Sequence, residues 1–204
     1  IIEEQPNLYK NLINYFHSNQ ISVYALLGSA YLNTEEYILP ARRADALKMV
    51  ERILKYNSSV AADNRFDGIN LDIEPHILDA WPAQKLELLE NFLDMSKDIM
   101  DLKKQSRLDL RIGPAIPFWL DGVSLTWLGN TKKVSGHVID LYDYVALMDY
   151  RDHADGRDGI ISHAMDELEY AAIAKKKVAI GVEVTPNEIT KVSFNHLTEN
   201  EMNI

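Results

Sequence analysis

The sequence predicts an α/β fold whose strands run parallel. Five short apolar segments alternate with four segments of helical periodicity along the whole chain, which is the pattern of consecutive βαβ units. The strand segments are almost continuously apolar, as expected of strands covered by helices on both faces. The 204 residues are 47% hydrophobic and 25% charged, an ordinary composition for a folded globular domain.

Each element is predicted from its own local pattern. The first helix follows Pro6 and carries apolar residues at helical spacing, namely Leu8, Leu12, Ile13 and Phe16. The later helices are predicted at Ala41–Tyr56, Pro82–Lys104 and His163–Lys175. The strands are predicted at Ile21–Leu27, Phe66–Glu74, Leu108–Ile116, Tyr144–Tyr150 and Val178–Val184. Residues 186–204 are expected to form a loop that leads into the start of a helix.

Two arrangements of the five strands remain open at this point. One is an open parallel sheet, and the other is a (β/α)8 TIM barrel that is incomplete in this chain. A closed barrel needs eight strands, typically in about 250 residues. No repeat, linker or change of composition divides the chain, so residues 1–204 are predicted to be a single domain. The motifs described below favour the incomplete barrel, in which the chain holds strands three to seven and lacks the first two and the last.

Composition excludes several classes of function. The formal net charge is −10, from 31 acidic and 21 basic residues, so neither nucleic acid nor an anionic membrane surface is an expected partner. The absence of cysteine removes disulfides and thiol nucleophiles. No apolar run reaches the roughly 18 residues of a membrane span, and no signal peptide is visible in the chain, which begins at Ile1. No cofactor is predicted.

The most informative segment is the predicted strand Phe66–Glu74. Side chains alternate across a strand, so Asn70, Asp72 and Glu74 share one face, the interior in a barrel, while the apolar residues between them face the helices. Buried polar side chains are costly unless hydrogen-bonded. A Glu beside another carboxylate can stay protonated and act as a general acid. A polar network that only fixes register, or a cation site, is the structural alternative.

This segment resembles the strand-four signature of family 18 glycoside hydrolases, which include chitinases and endo-β-N-acetylglucosaminidases. That signature reads Asp-Gly-x-Asp-x-Asp-x-Glu. The matching residues here are Asp67, Gly68, Asn70, Asp72 and Glu74. The resemblance implies that Glu74 is the acid/base and that Asp72 orients the substrate's own N-acetyl group, with a carbohydrate as the partner. Asn70 departs from the signature, where Asp is usual, and keeps hydrogen-bonding capacity without the charge.

A second segment, Val145–Asp152, resembles the sixth strand of the same family, which ends in Met-x-Tyr-Asp. Met148 and Tyr150 match that ending, and the resemblance implies that the Tyr150 hydroxyl assists the N-acetyl carbonyl. Arg151 stands where Asp is expected, and Asp152 comes one position late. Arg151 and Asp152 are expected to pair with each other or to contact an anionic group. A purely structural Tyr150 is the alternative.

Glu183 supports a rival interpretation. In the predicted strand Val178–Val184, alternation directs Gly181 and Glu183 to the inner face, and in the barrel count this is strand seven. The sequence Ile73-Glu74-Pro75 also resembles the Asn-Glu-Pro of retaining glycosidases that use one Glu on strand four and another on strand seven. In that mechanism Glu183 is the nucleophile, and the two carboxyl groups lie about 5–5.5 Å apart. A salt-bridged structural carboxylate is the alternative for Glu183.

Several further residues are candidate substrate contacts. Trp119 follows the predicted strand Leu108–Ile116 and could stack on a sugar ring, although helix packing explains it equally well. His76 comes directly after Glu74-Pro75 and could touch substrate. The substrate-binding candidates together are Asp67, Asn70, His76, Trp119, Met148, Arg151 and Asp152. His153 and His163 lie in a polar loop that fits no metal motif and are expected at the surface.

The sequence therefore leaves three functional hypotheses. The first is a glycoside hydrolase that acts on a β-linked saccharide, which is N-acetylated if the substrate-assisted mechanism holds. The second is a carbohydrate-binding barrel without turnover, and the third is a metal-assisted hydrolase that uses Asp72, Glu74 and Glu183. Neither of the first two hypotheses includes a metal site.

Overall fold

The computed structural model describes residues 2–202, and the chain divides into two compact units, Ile1–Pro114 and Ala115–Ile204. In the first unit, helices alternate with parallel strands. The helices are α1 (Pro6–Ser18), α2 (Arg43–Ser59) and α3 (Trp81–Ser106), and the strands are β1 (Tyr24–Leu27), β2 (Gly68–Leu71) and the first part of β3 (Arg111–Pro117). β2 lies between β1 and β3, and its Ile69 pairs with Ala25 on one side and Ile112 on the other.

The core of the first unit forms where the apolar stripes of the helices cover these strands. Ile69 and Leu71 of β2 are buried, as is Ile73 directly after it. The fully or almost fully buried residues that the helices contribute are Ile13, Ala46, Val50, Leu88, Leu89, Phe92, Leu93, Met95 and Ile99. The polar residues between the buried positions of β2 stay half-exposed. The alternation expected from the sequence is therefore present, and it continues past the end of the strand.

The second unit begins with the rest of β3 and also contains parallel strands covered by helices. Its further elements are β4 (Ser124–Trp127), β5 (Asn130–Lys133), α4 (Val134–Leu141), β6 (Tyr144–Met148), α5 (Ile160–Ala174), β7 (Lys177–Gly181) and α6 (Glu199–Met202). β6 lies between β3 and β7, and its Leu147 pairs with Ile116 and Ile180. β4 and β5 form a separate antiparallel hairpin.

The structure confirms the parallel α/β prediction and differs from it at element boundaries. β2 ends at Leu71, three residues before Glu74, because Ile73 and Glu74 lead into a 3₁₀ turn at Pro75–Ile77. The hairpin β4–β5 and helix α4 were not predicted. Leu128 and Gly129 form the hairpin turn with positive φ angles of 49° and 80°, and Leu at such a position gives no recognisable hairpin signal.

The C-terminal segment follows the prediction where the structure describes it. Two 3₁₀ turns, Thr190–Val192 and Phe194–His196, precede the four-residue helix α6. Asn203 and Ile204 lie outside the described residues. Within residues 2–202 no helix is both long and apolar enough to cross a membrane.

Candidate active site

Residues 72–76, here called the carboxylate turn, follow β2 directly. The amide N–H of Asp72 donates to the Leu27 carbonyl oxygen at 2.7 Å, which extends the β1–β2 pairing by one residue. Pro75 then starts the 3₁₀ turn, because its ring fixes φ and its missing N–H costs nothing at the first position of a turn. The turn places Glu74 and His76 beside each other, with Nε2 of His76 3.2 Å from Oε2 of Glu74.

The environment of Glu74 favours its protonated form. Burial raises the pKa of Glu74 above its ordinary value, and the neighbouring Asp72 carboxylate raises that pKa further. The Glu74 side chain is nevertheless 30% exposed, so a proton on it can reach a bound molecule. A carboxyl group whose pKa is raised and whose oxygens stay open to solvent can serve as a general acid.

Gly28 supports the carboxylate turn from β1. A Cβ atom at Gly28 would lie 2.0 Å from the Asp72 carbonyl oxygen, and Gly28 itself has a φ of 150°. Only a residue without a side chain allows this approach. The sequence identified Gly28 only as the end of a strand, and its contact with Asp72 was missed because the two residues are 44 positions apart.

Asp67 lies at the other end of β2 from Glu74. Its Oδ2 accepts a hydrogen bond from the Val23 amide at 2.6 Å and lies 2.9 Å from Nε2 of His17. These contacts tie α1 and the start of β1 to β2, and the hydrogen bond to Asp67 raises the pKa of His17. The described contacts of the Asp67 carboxylate are thus internal to the unit, and its predicted contact with substrate stays a prediction.

Asn70 lies on β2, half-exposed and opposite Leu26 of β1 and Gly113 of β3. It occupies the same face as Asp72 and Glu74. The first unit therefore brings together Asp72, Glu74 and His76 on one short segment, with Asn70 one step earlier on the same side.

In the second unit, the end of β6 presents Met148 and Tyr150 on one side and Asp149 on the other. Val145, Leu147 and Asp149 are buried, whereas Met148 is half-buried and Tyr150 is 37% exposed. Alternation along the strand explains both sets. Tyr150 is therefore accessible, as a hydrogen-bond donor to substrate would need to be.

Asp149 belongs to a cluster that we call the Asp149 network, made of Phe118, Asp149, Arg151, Asp158, His163 and Lys191. Oδ1 of Asp149 lies 2.9 Å from Nδ1 of His163, and the His163 ring stacks on Phe118 at a centroid distance of 4.1 Å. Burial raises the pKa of Asp149, and the hydrogen bond from His163 opposes that rise. The expectation that His163 is a surface residue is wrong, because its side chain is only 12% exposed.

Arg151 and Asp152 do not pair with each other, contrary to one of the two expected arrangements. Nε of Arg151 donates to Oδ1 of Asp158 at 2.9 Å, and the guanidinium lies 5.1 Å from the Phe118 ring centroid. Asp152 instead lies 2.7 Å from Nδ1 of His153 and 3.2 Å from Nε2 of His196. The anionic group that Arg151 contacts is therefore Asp158, whose pKa is lowered by hydrogen bonds from Lys191 and Arg151.

Glu183 lies two residues after β7 and folds back onto its own turn. Its Oε1 accepts hydrogen bonds from the amides of Val184 and Thr185, both at 2.7 Å, and from the Thr185 hydroxyl at 2.8 Å. These donors lower the pKa of Glu183. The side chain is thus ionised at neutral pH, as a nucleophile would have to be. Its Oε1, however, already accepts the hydrogen bonds of its own turn.

Trp119 and Trp127 differ in how deeply they are buried. Trp119 lies half-exposed in a 3₁₀ turn, Phe118–Gly122, that directly follows β3, so a stacking contact with a sugar stays a prediction. Trp127 is 8% exposed and packs edge-on against His137 of α4, so it is part of the core. Among the described residues, no cluster of three or more His, Asp or Glu side chains could hold a metal ion.

Comparison with solved structures shows which fold this chain has. No protein-family model and no curated protein sequence matches this chain. Among solved structures, it is similar to a putative sporulation-specific glycosylase, ydhD, from Bacillus subtilis, with a TM-score of 0.55 and 16% identity over 86% of this chain and 56% of that one. It is also similar to a class V chitinase from Nicotiana tobaccum, with a TM-score of 0.55 and 12% identity over 89% and 54% of the two chains.

A third similar structure is a GH18 chitinase from Cycas revoluta in complex with (GlcNAc)3, with a TM-score of 0.53 and 15% identity over 89% and 55% of the chains. These neighbours are TIM-barrel glycosidases. The chain thus has the fold of part of such a barrel, and it spans about half the length of the structures it matches.

Proposed function

We propose that this chain is part of a glycoside hydrolase that cleaves a β-linked, N-acetylated saccharide, with Glu74 as general acid/base. The observation that carries the proposal is the raised pKa of Glu74, caused by burial and by Asp72, on a side chain that remains accessible. The similarity of the fold to chitinases, one of them in complex with (GlcNAc)3, supports the class of substrate.

In this proposal the reaction proceeds in two steps. Glu74 first gives its proton to the leaving oxygen while the bond from that oxygen to the anomeric carbon breaks. The acetamido oxygen of the substrate attacks the same carbon, and Asp72 orients the acetamido group and balances its developing positive charge. Glu74, now ionised, takes a proton from the water that opens the cyclic intermediate.

The direct test is Glu74→Gln. The amide keeps the size of the side chain but cannot give a proton, and general acid catalysis contributes roughly 10²–10⁴ to a rate. We expect kcat/KM for a chromogenic β-linked N-acetylglucosamine oligomer to fall by at least about 100-fold. Glu188→Gln, on an exposed loop, is the matched control and is expected to leave the rate unchanged. Equal sugar binding by wild type and Glu74→Gln, without turnover in either, would instead indicate a binding protein.

The pH profile gives a second test. The acid must be protonated, so activity is fully present below the raised pKa of Glu74 and is lost as the pH rises through it. We expect an alkaline limb of kcat/KM above the ordinary Glu range. An activity that rises through this interval would contradict the assignment of Glu74 as the acid.

Glu183 supports a second candidate mechanism, because its pKa is lowered and its carboxylate is ionised. As the nucleophile of a two-carboxylate enzyme, it would be trapped covalently by a 2-deoxy-2-fluoro glycoside and found by mass spectrometry on its own peptide. In the substrate-assisted mechanism Glu183 stays unmodified, and a substrate without the N-acetyl group is not cleaved. Activity that survives a chelator would count against the metal-assisted alternative.

A further inference from the structure

The carboxyl group of Glu74 has a neighbour that the proposed mechanism does not use. Nε2 of His76 lies 3.2 Å from Oε2 of Glu74, and the two side chains are 24% and 30% exposed. The 3₁₀ turn at Pro75–Ile77 fixes this proximity, because it folds residue 76 back toward residue 74. Of the two oxygens of Glu74, the imidazole therefore contacts Oε2.

The imidazole also contacts α3. Its ring meets the Trp81 ring edge-on, with centroids 6.2 Å apart and an interplanar angle of 71°. Trp81 is the first residue of α3, and Nζ of Lys85 lies 5.6 Å from the Trp81 ring centroid. His76 thus contacts both the first residue of α3 and the carboxyl group of Glu74.

We propose that His76 is a positioning residue for the general acid: its neutral ring donates Nε2–H to Oε2 of Glu74 and so leaves the transferable proton on Oε1. The inference rests on the proposed function in one respect, namely that Glu74 is the acid. It explains why only one of the two carboxyl oxygens of Glu74 gives up a proton. The explanation needs only Glu74 and its neighbour His76.

The charges around the pair are consistent with a neutral ring. Burial lowers the pKa of His76, whereas an imidazolium beside Glu74 would favour the carboxylate and remove the acid. The elements packed against this turn are α3, which contributes Lys85, and the 3₁₀ turn Thr34–Ile38, which contributes Glu35, Glu36 and Tyr37. Glu36 is paired with Arg42. Asp72 is the charge that bears on Glu74.

In the proposed reaction His76 neither gains nor loses a proton. Before the reaction, Glu74 carries one proton on Oε1 and His76 carries one on Nε2. The Oε1 proton moves to the leaving oxygen as the glycosidic bond breaks, and the resulting carboxylate keeps the hydrogen bond from His76. Water later returns a proton to Oε1. The bond from His76 is strongest when Glu74 is ionised, so it stabilises the state that follows proton transfer.

Two variants separate hydrogen bonding from packing. His76→Phe keeps a ring against Trp81 but has no donor, and His76→Gln keeps a neutral N–H donor but has no ring. We expect kcat to fall about tenfold in His76→Phe, the scale of a lost hydrogen bond to a charged group, with KM unchanged. His76→Gln is expected to recover most of the loss. A raised KM with unchanged kcat in His76→Phe would overturn the proposal in favour of a substrate contact.

A measurement without substrate keeps this inference separate from the proposed function. In the wild-type protein at pH 7, ¹⁵N NMR is expected to show His76 as the neutral Nε2–H tautomer. The ¹³C titration midpoint of the Glu74 carboxyl should move upward in His76→Phe, because a donor to the charged form is lost, and stay in place in His76→Gln. An imidazolium, an Nδ1–H tautomer or an unmoved midpoint would overturn the inference, whether or not the chain turns over any saccharide.

Discussion

Gly28 lies against the backbone of Asp72 so closely that no side chain fits between them. Gly28→Ala therefore has to push β1 and the carboxylate turn apart, and we expect the free energy of unfolding to fall by roughly 2 kcal/mol or more. Urea denaturation measures this loss. Gly122→Ala is the control, because a Cβ there meets nothing within 4 Å. Equal stability of the two variants would show that the contact is not a constraint.

Glu167 is a buried carboxyl group outside the candidate site. It is fully buried on α5, and burial, followed by the Asp121 carboxylate, raises its pKa from 4.5 to about 7. Between these two values the unfolded chain loses its proton while the folded chain keeps it. The contribution of Glu167 to stability is therefore greatest below pH 4.5 and falls as the pH rises toward 7, by about 3 kcal/mol.

Glu167→Gln should remove this component of the pH dependence and raise stability at pH 8. Urea denaturation at pH 5 and pH 8 measures both effects. Glu169→Gln, an exposed position on the same helix, is the matched control. The assignment fails if Glu167→Gln and wild type show the same difference between the two pH values.

At the scale of elements, the Asp149 network fastens α5 to the end of β6. The His163 ring contacts the buried Asp149 carboxylate and stacks on Phe118 at the same time. The network also gives Arg151, which departs from the family pattern, an internal partner in Asp158. The backbone between Met148 and Tyr150 is consequently held from the helix side.

His163→Phe should test this attachment. The new ring can keep the stack on Phe118 but leaves Asp149 without its hydrogen bond, and we expect a loss of roughly 1–3 kcal/mol. The pKa of Asp149 then rises further, so the loss should grow as the pH rises. Adding Asp149→Asn should recover part of the stability at high pH, and a double-mutant cycle by urea denaturation gives the coupling. Purely additive effects at both pH values would contradict the attachment.

At the scale of the whole molecule, β1 and β7 are each paired on one side among the described residues. Leu26 on β1 is 67% exposed, and α1 exposes Leu8, Leu12 and Tyr15 along one stripe. An edge strand that exposes an apolar side chain such as Leu26 favours pairing with another chain. We propose that two strands precede β1 and one follows β7 in the full protein, as in a complete barrel.

This proposal predicts different behaviour for a shorter and a longer chain. Residues 1–204 alone are expected to self-associate, and a version that includes the flanking segments of the natural protein is expected to be monomeric with a higher Tm. Sedimentation and thermal denaturation measure the two properties. Leu26→Lys in the short chain should reduce association, because a charge blunts an edge. A monomeric short chain with the same Tm as the long one would contradict the missing strands.

The sequence by itself determined the parallel α/β fold, because apolar strands and amphipathic helices are local patterns that can be recognised in short segments along most of the chain. It also placed Asp72 and Glu74 on one face, since period two continues through Ile73. The ends of the strands and the hairpin β4–β5 were harder to predict. In the hairpin, Leu128 adopts a positive φ, which a leucine in the sequence does not indicate.

Only the tertiary structure decided which groups surround each carboxylate. The contact of Gly28 with Asp72, the His163 ring on Asp149 and the pairing of Arg151 with Asp158 join residues from separate elements or from distant turns of one loop. The raised pKa of Glu74 depends on burial as well as on Asp72. Burial is a property of the packed chain, because it sums contributions from segments that are remote in sequence.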